Sequence, residues 1–449
     1  MLFTTKEMLQ QQEQQLRLAV EQAIELAEKA GAVAEVATTK VTGLSVSTRL
    51  ENTENIEFNN DGSLGISVYL GKRKGNASTS DLQPQSIQRA VESALAIAKY
   101  TSEDECAGLA DKEMMAFNPP DLDLFHQADM SVEEAIELAT ETEHFALSKD
   151  ERIVNSDGAT FNSHCGIRIY GNSHGMLQSY LSSRYSLSCS VISAYQDALE
   201  RDYEYTISRE FDKLASPKWV GEQAAIKAVE RLNPQKLPTC EAPVIFYNDV
   251  ATGLIGHLAG AISGGALYRK ASFLQDKLGE QILPSWFQLE EKPHLLRQLA
   301  SSPFDSEGVI TKDQQIIQDG VLQTYLLTSY SGRKLGRQTT GHAGGIHNWL
   351  VQPNCTGGLD ALLNEMGTGL LVTEMLGSAI NGVTGEYSRG AAGFWVENGE
   401  IQYPVAEITI AGRLQDMFRN MVAVSDDIEQ RSNIQTGSIL LDKLRISGE

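Results

Sequence analysis

Three prolines within ten residues, Pro234, Pro238 and Pro243, follow Arg231-Leu232-Asn233 and constrain this chain more than any other feature. Proline fixes φ and has no N–H to donate, so a helix reaching this point must end and the connection beyond it is stiffened. The chain therefore divides into an N-terminal domain over 1–235 and a C-terminal domain over 240–449. Its 449 residues exceed what one hydrophobic core comfortably fills, which agrees with that division.

The first domain reads as a unit that starts twice. Leu16, Val20, Ala23, Ala27 and Ala30 form a helical stripe on a polar background, and Gly31 suits the end of that helix. Alternating segments over 33–39, 44–50 and 64–70 read as strands, with Asp61-Gly62 as hairpin-turn chemistry before the last. A helix over 84–100 follows, with Pro84 in its first turn. The stretch 103–127, with Asn118-Pro119-Pro120, reads as a loop or internal linker. The pattern then restarts with a capping box at Ser131 and Glu134, strand-like runs over 152–154, 166–170 and 176–193, and a helix over 216–232. Gly65-Ile66-Ser67-Val68-Tyr69 and Gly166-Ile167-Arg168-Ile169-Tyr170 share G-I-x-V/I-Y. This match and the recurring order point to an internal duplication of 1–110 and 130–233. The expected architecture is α+β: two helix–strand–strand–helix units forming a sheet covered by helices. No nucleophile, metal cluster or phosphate loop stands out there, so its expected work is enclosure and docking.

The second domain reads as mainly antiparallel β with short glycine-rich helices. An apolar run, Val244 to Tyr247, leads to Asn248-Asp249, suited to capping a helix start. The stretch Thr252 to Lys270 is small and apolar, with one histidine, His257, and no carboxylate. Its glycines let another backbone approach closely. Hairpins are marked at Asp319-Gly320, joining 314–318 to 321–329, and at Asn398-Gly399, joining 393–397 to 400–405. A short helix over 359–366 ends at Gly367 before a strand over 369–375, while prolines 284 and 293 interrupt the amphipathic run 283–299.

Charge and cysteine usage narrow the function classes. A net charge of −22 with no basic cluster argues against direct nucleic-acid binding. Five dispersed cysteines without C-x-x-C indicate free thiols in a reducing compartment. The start, Met1 to Lys6, lacks a secretory pattern, and no apolar run approaches bilayer-spanning length, so a cytoplasmic location with no membrane association is expected. Within the second domain, His342, His347 and Cys355 form one potential metal set, but they sit on a glycine-rich loop with no acidic residue nearby in sequence. Ser329, Ser331 and Ser388 lack a G-x-S-x-G elbow. Arg333, Lys334, Arg337, Arg389 and Arg413 are scattered cations suited to solvation or to pairing with carboxylates.

Three stretches carry a family resemblance. They are Thr252–Lys270, the segments G-V-L-Q-T-Y-L-L-T-S-Y-S-G-R-K-L-G and G-H-A-G-G-I-H-N-W, and Asn381 to Gly399. Together they resemble the TldD/PmbA (TldD/TldE) peptidase family in its PmbA (TldE) branch, over essentially the whole chain. In metal-bearing members of that family the helix reads H-E-x-x-x-H and a cysteine supplies a third ligand. Aligned on Arg269-Lys270, those places hold Gly256, His257 and Ala261, and the cysteine's place is Gly390. The resemblance therefore implies no catalytic residue, no metal and no cofactor in this chain, with zinc in a TldD-type partner. It implies a heterodimer acting on unfolded peptides, as in leader-peptide removal and antitoxin degradation; the family's name "modulator of DNA gyrase" belongs to that history. Substrate contacts are expected from His257, Arg333, His342, His347, Asn348, Glu386 and Arg389, and the isolated chain could pair with itself through the same surface. The alternative is a peptide- or toxin/antitoxin-binding protein with no peptidase attached.

Overall fold

The computed structural model describes residues 6–196 and 198–448; the opening run Met1–Thr5, read above for a secretory signal, lies outside them. Helix α1 (Lys6–Lys29) buries Leu16, Val20, Ala23 and Ala27. It ends where Gly31 turns left-handed (φ 79°) and the Ala32 N–H reaches back to the Ala27 carbonyl at 3.0 Å. Strands β1 (Val33–Arg49), β2 (Asn52–Leu70) and β3 (Arg73–Thr79) follow, then α2 (Pro84–Tyr100). The second round comprises α3 (Val132–Lys149), β4 (Ile153–Asn172), β5 (Leu177–Tyr195), β6 (Ala198–Ser208) and α4 (Pro217–Glu230). Ser131 and Glu134 make the capping box at α3.

These strands form one six-stranded sheet in the order β3-β2-β1-β4-β5-β6, antiparallel throughout, with β1 and β4 side by side at its centre. Each round has three strands, and the two segments expected over 33–39 and 44–50 are the single strand β1. Asp61-Gly62 is not a turn. It lies inside β2, paired with Val41 and Lys40, because continuous pairing along β1 overrides local turn propensity. The chain reverses instead at Leu50 (φ 49°) and Glu51 (φ 61°), left-handed at both positions. The buried Glu143 carboxylate holds that turn by accepting the Leu50 and Glu51 N–H groups, each at 2.8 Å. The shared G-I-x-V/I-Y falls on β2 and β4, the second strand of one round and the first of the other, so it does not mark equivalent places.

All four helices cover one face of the sheet. Ala34 and Val36 of β1 join the core under α1 and α2, while Leu44 and Val46 join the core under α3 and α4. The other face meets the second half of the chain, where Tyr170 and Met176 pack with Met115, Phe304 and Val309.

The second half begins with β7 (Cys240–Phe246), α5 (Asn248–Ala261) and α6 (Gly264–Tyr268). Short elements β8 (Leu289–Glu291), β9 (Gln314–Gln318), β10 (Val321–Leu322), α7 (Ser329–Lys334) and β11 (Trp349–Val351) follow. They precede α8 (Gly358–Met366), β12 (Gly369–Ile380), β13 (Glu386–Glu397) and β14 (Glu400–Arg413). The chain closes with α9 (Leu414–Arg419), β15 (Met421–Val424), β16 (Ile434–Gln435) and β17 (Ile439–Ser447). One sheet runs β14-β13-β12-β7-β17-β15, and an extra β14–β17 pairing closes its first five strands into a ring. A second runs β10-β9-β8-β11-β16. Both marked hairpins form, with left-handed Asp319-Gly320 and Asn398-Gly399 at their tips. The strand expected over 321–329 stops at Leu322, and Ser329 opens α7. Residues 283–299 contain β8 and turns but no helix. No helix among the described residues is long and apolar enough to cross a membrane.

Candidate functional site

Helix α5 is anchored at its start and sealed along one side. The Asn248 side chain does not cap the helix as expected; it donates to the Asp427 carbonyl at 2.7 Å, and the Asn248 N–H donates to Ser438 Oγ. Ala251, Leu254, Ile255, Leu258 and Ala261 are buried in the main core of this half, which leaves Gly256 and His257 half-buried on the flank.

Strand β13 faces that flank. The His257 ring meets Tyr387 edge-on, with centroids 5.8 Å apart. Arg389, two residues further along the same strand face, donates from Nε to the Gly377 carbonyl at 2.9 Å. Burial, reinforced by the Arg389 charge, holds the His257 imidazole below its ordinary range, so it is neutral near pH 7. Its Nε2 is buried without a hydrogen-bond partner. Burial raises the Tyr387 hydroxyl to about 12 against the opposing pull of Arg389. Glu386, also expected as a contact, is exposed at the start of β13 and pairs in register with Arg413. The sequence signal for Tyr387 is the alternation Tyr387-Ser388-Arg389, which puts its two ends on one face.

A metal does not fit this arrangement. A catalytic zinc needs three protein donors of N, S or O. Gly256, Ala261 and Gly390 carry none, which leaves the His257 ring alone. Space is not the reason at Gly256, where an added Cβ would meet only Ile434 Cδ1 at an ordinary 3.8 Å. At Gly390 a Cβ would come within 3.1 Å of Leu376 Cβ. The described residues contain no group of three His, Cys, Asp or Glu placed to hold an ion.

The remaining predicted contacts lie elsewhere. His342, His347 and Asn348 are buried around Glu291, which has no exposure at all. Glu291 accepts from His342 Nε2 at 2.7 Å, the His347 N–H at 2.8 Å and Trp349 Nε1 at 3.2 Å. Asn348 donates to the Lys292 carbonyl and to Ser301 Oγ. Burial pushes the Glu291 carboxyl up, but the His342 hydrogen bond and the neighbouring imidazoles outweigh it and hold it below the usual range. These three side chains cannot line a groove, because every one is enclosed and already bonded. The acidic partner missing from the local sequence is Glu291, brought in from β8 when it pairs with β11. Cys355 is not part of the cluster; it lies beside β15, its N–H donating to the Val424 carbonyl.

Arg333 is likewise a structural clamp. From α7 it donates to the carbonyls of Cys106, Gly108 and Leu109 and to Asp111, while Lys334 pairs with Asp104 at 3.0 Å. It thereby fastens the linker between the two rounds of the first half to the second half. Ser331 is taken up by the capping box it makes with Thr328 at the head of α7, and the Ser329 N–H donates to the Glu307 carboxylate at 2.8 Å.

A helix-backed antiparallel sheet joined to a closed ring of strands, with a glycine-rich helix packed beside that ring, defines a two-part α+β fold. The chain belongs to the PmbA/TldD metallopeptidase family. Residues 239–448 match the PmbA/TldA metallopeptidase C-terminal domain, 125–232 its central domain and 34–98 its domain 1. It is 71% identical over 441 residues to a metalloprotease PmbA homolog of Haemophilus influenzae, covering 98% of each chain. It superposes on a protein described as a modulator of DNA gyrase from Bacteroides thetaiotaomicron with a TM-score of 0.91 at 27% identity, covering 100% of both chains. TldE from Thermococcus kodakarensis shares the fold, with a TM-score of 0.81 at 21% identity over 96% of this chain and 100% of that one.

Proposed function

We propose that this chain is the metal-free subunit of a TldD/TldE-like heterodimeric metallopeptidase and completes the cavity in which a zinc-bearing partner cleaves unfolded peptides. The observation that carries this reading is the loss of donors at Gly256, Ala261 and Gly390 in a fold otherwise kept whole. In this reading the His257–Tyr387–Arg389 flank faces the substrate, with the half-buried Arg389 guanidinium offered to a peptide carbonyl or carboxylate. An extended peptide held through its backbone needs little side-chain specificity, which suits leader peptides and an unstructured antitoxin. The cytoplasm is the compartment such substrates require.

The test is reconstitution. The purified chain, its metal content measured by elemental analysis, is mixed with a TldD-type protein carrying H-E-x-x-x-H and assayed on an unfolded peptide. Chelator-sensitive cleavage by the mixture, with apo protein alone inactive, supports the reading. Chelator-sensitive cleavage by the pure chain, or stoichiometric zinc within it, overturns it. Peptide capture with no co-purifying peptidase favours the binding-protein alternative.

A further inference from the structure

The two rounds of the first half treat equivalent strand edges differently. In the second round, β6 pairs with β5 only from Tyr185 onward. The earlier part of β5 is covered by the linker: the Ser183 N–H donates to the Leu124 carbonyl at 2.9 Å, Gln178 donates to the Phe117 carbonyl, and the His126 N–H donates to Ser183 Oγ. In the first round, β3 pairs with β2 only from Leu64 onward. The earlier part, Asn52 to Ser63, pairs with β1 on one side and, among the described residues, with no strand on the other. Along it Ile56 and Phe58, cross-strand neighbours of the buried Val46 and Leu44, remain 41% and 49% exposed.

A pocket of about 270 Å³ opens where this edge meets β3, lined by Gln12 and Leu16 of α1, Asn60 and Ser63 of β2, and Ser80 and Leu82. Thr38, 2% exposed, also lines it, and both Thr38 Oγ1 and Gln12 Oε1 are buried there without a hydrogen-bond partner. A buried polar atom left unpaired is costly, so this pocket is built to receive a hydrogen-bonding side chain. Lys40 at the pocket wall, donating to the Asn60 carbonyl, makes an uncharged guest the better fit.

We infer that the free edge of β2 from Asn52 to Ser63 binds an extended polypeptide segment by strand addition, one with alternating apolar and basic residues and a polar uncharged side chain for the pocket. Unpaired backbone N–H and C=O groups supply the ladder, while Ile56 and Phe58 supply apolar contact. Glu54, Glu57 and Asp61 select the charge. The same acids disfavour a second copy of this chain, whose edge would bring like charges opposite one another. This inference does not require the subunit reading, since the edge belongs to the first half and the test needs no peptidase partner.

The full chain is titrated into a short fluorescein-labelled peptide of alternating valine and lysine flanked by glutamine, and anisotropy is read. Two further peptides carry backbone N-methyl groups on alternate residues, in opposite phases. Strand addition requires that one phase weaken binding at least about tenfold while the other is tolerated, and that Ile56→Ser with Phe58→Ser weaken it similarly, with unchanged circular dichroism. Equal binding of both methylated peptides, equal binding of a valine–glutamate peptide, or no binding at all overturns the inference. So does sedimentation showing that copies of the chain pair through this edge and that the double variant separates them.

Discussion

Replacing Glu291 with alanine strands three donors in a site with no access to water: His342 Nε2, the His347 N–H and Trp349 Nε1. Each orphaned buried group costs about 1–3 kcal/mol, and His342 sits at the low end because its ring can change tautomer. Together the three give a loss of about 4 kcal/mol, a large part of the roughly 5–15 kcal/mol that holds a typical domain together. Glu291→Gln, which keeps one acceptor oxygen but turns an NH2 toward a donor, loses about half as much. Urea unfolding followed by the fluorescence of buried Trp349 measures both, with a lower midpoint and unchanged slope. The pH dependence has a definite sign. The folded carboxyl lies below its unfolded value, so its stabilisation is full above about pH 5 and drains away as pH falls through the depressed folded pKa. The gap between wild type and Glu291→Ala should therefore be constant from neutral pH down to about 5 and shrink below that. A Glu291→Ala protein within about 1 kcal/mol of wild type at pH 7, or a gap that widens on acidification, would refute the network as a structural element.

Other consequences are simpler to state. Arg333→Ala frees the carbonyls of Cys106, Gly108 and Leu109 from the second half, so limited proteolysis should cut within 103–111 several-fold faster, with cleavage elsewhere unchanged. His257→Leu removes an unpaired buried nitrogen and should stabilise the chain by about 1 kcal/mol in urea while lowering peptide cleavage in the reconstituted complex. Leu50→Asn with Glu51→Gly places residues that accept left-handed backbone at the β1–β2 turn; a thermal melt should show a gain of about 1 kcal/mol, since the exposed Glu51–His144 pair it sacrifices is worth little.

Elements governed by local chemistry were legible in the sequence. The capping box at Ser131, Pro84 at the head of α2, Gly31 closing α1 and the Asn398-Gly399 tip all rest on residues a few positions apart. Features that depend on distant partners were not. Leu50-Glu51 lacks any turn signature, and it is Glu143, far along the chain, that accepts both of its N–H groups. The same logic separates the site residues. His257 and Arg389 could be picked out as odd members of apolar and glycine-rich runs, and pairing within the ring of strands brings their segments together. His342, His347 and Asn348 had the composition of a binding loop, but β8 carries a carboxylate into their midst and turns them into core.

The clamp from Arg333 and the apolar contact of Tyr170 and Met176 with Phe304 and Val309 deny the first half autonomy. Cut free after the proline-rich hinge, it would present a greasy scar where its partner half had lain, together with a slack tether between its two rounds. A shortened version made for crystallisation or display would then report on that wound rather than on the native surface.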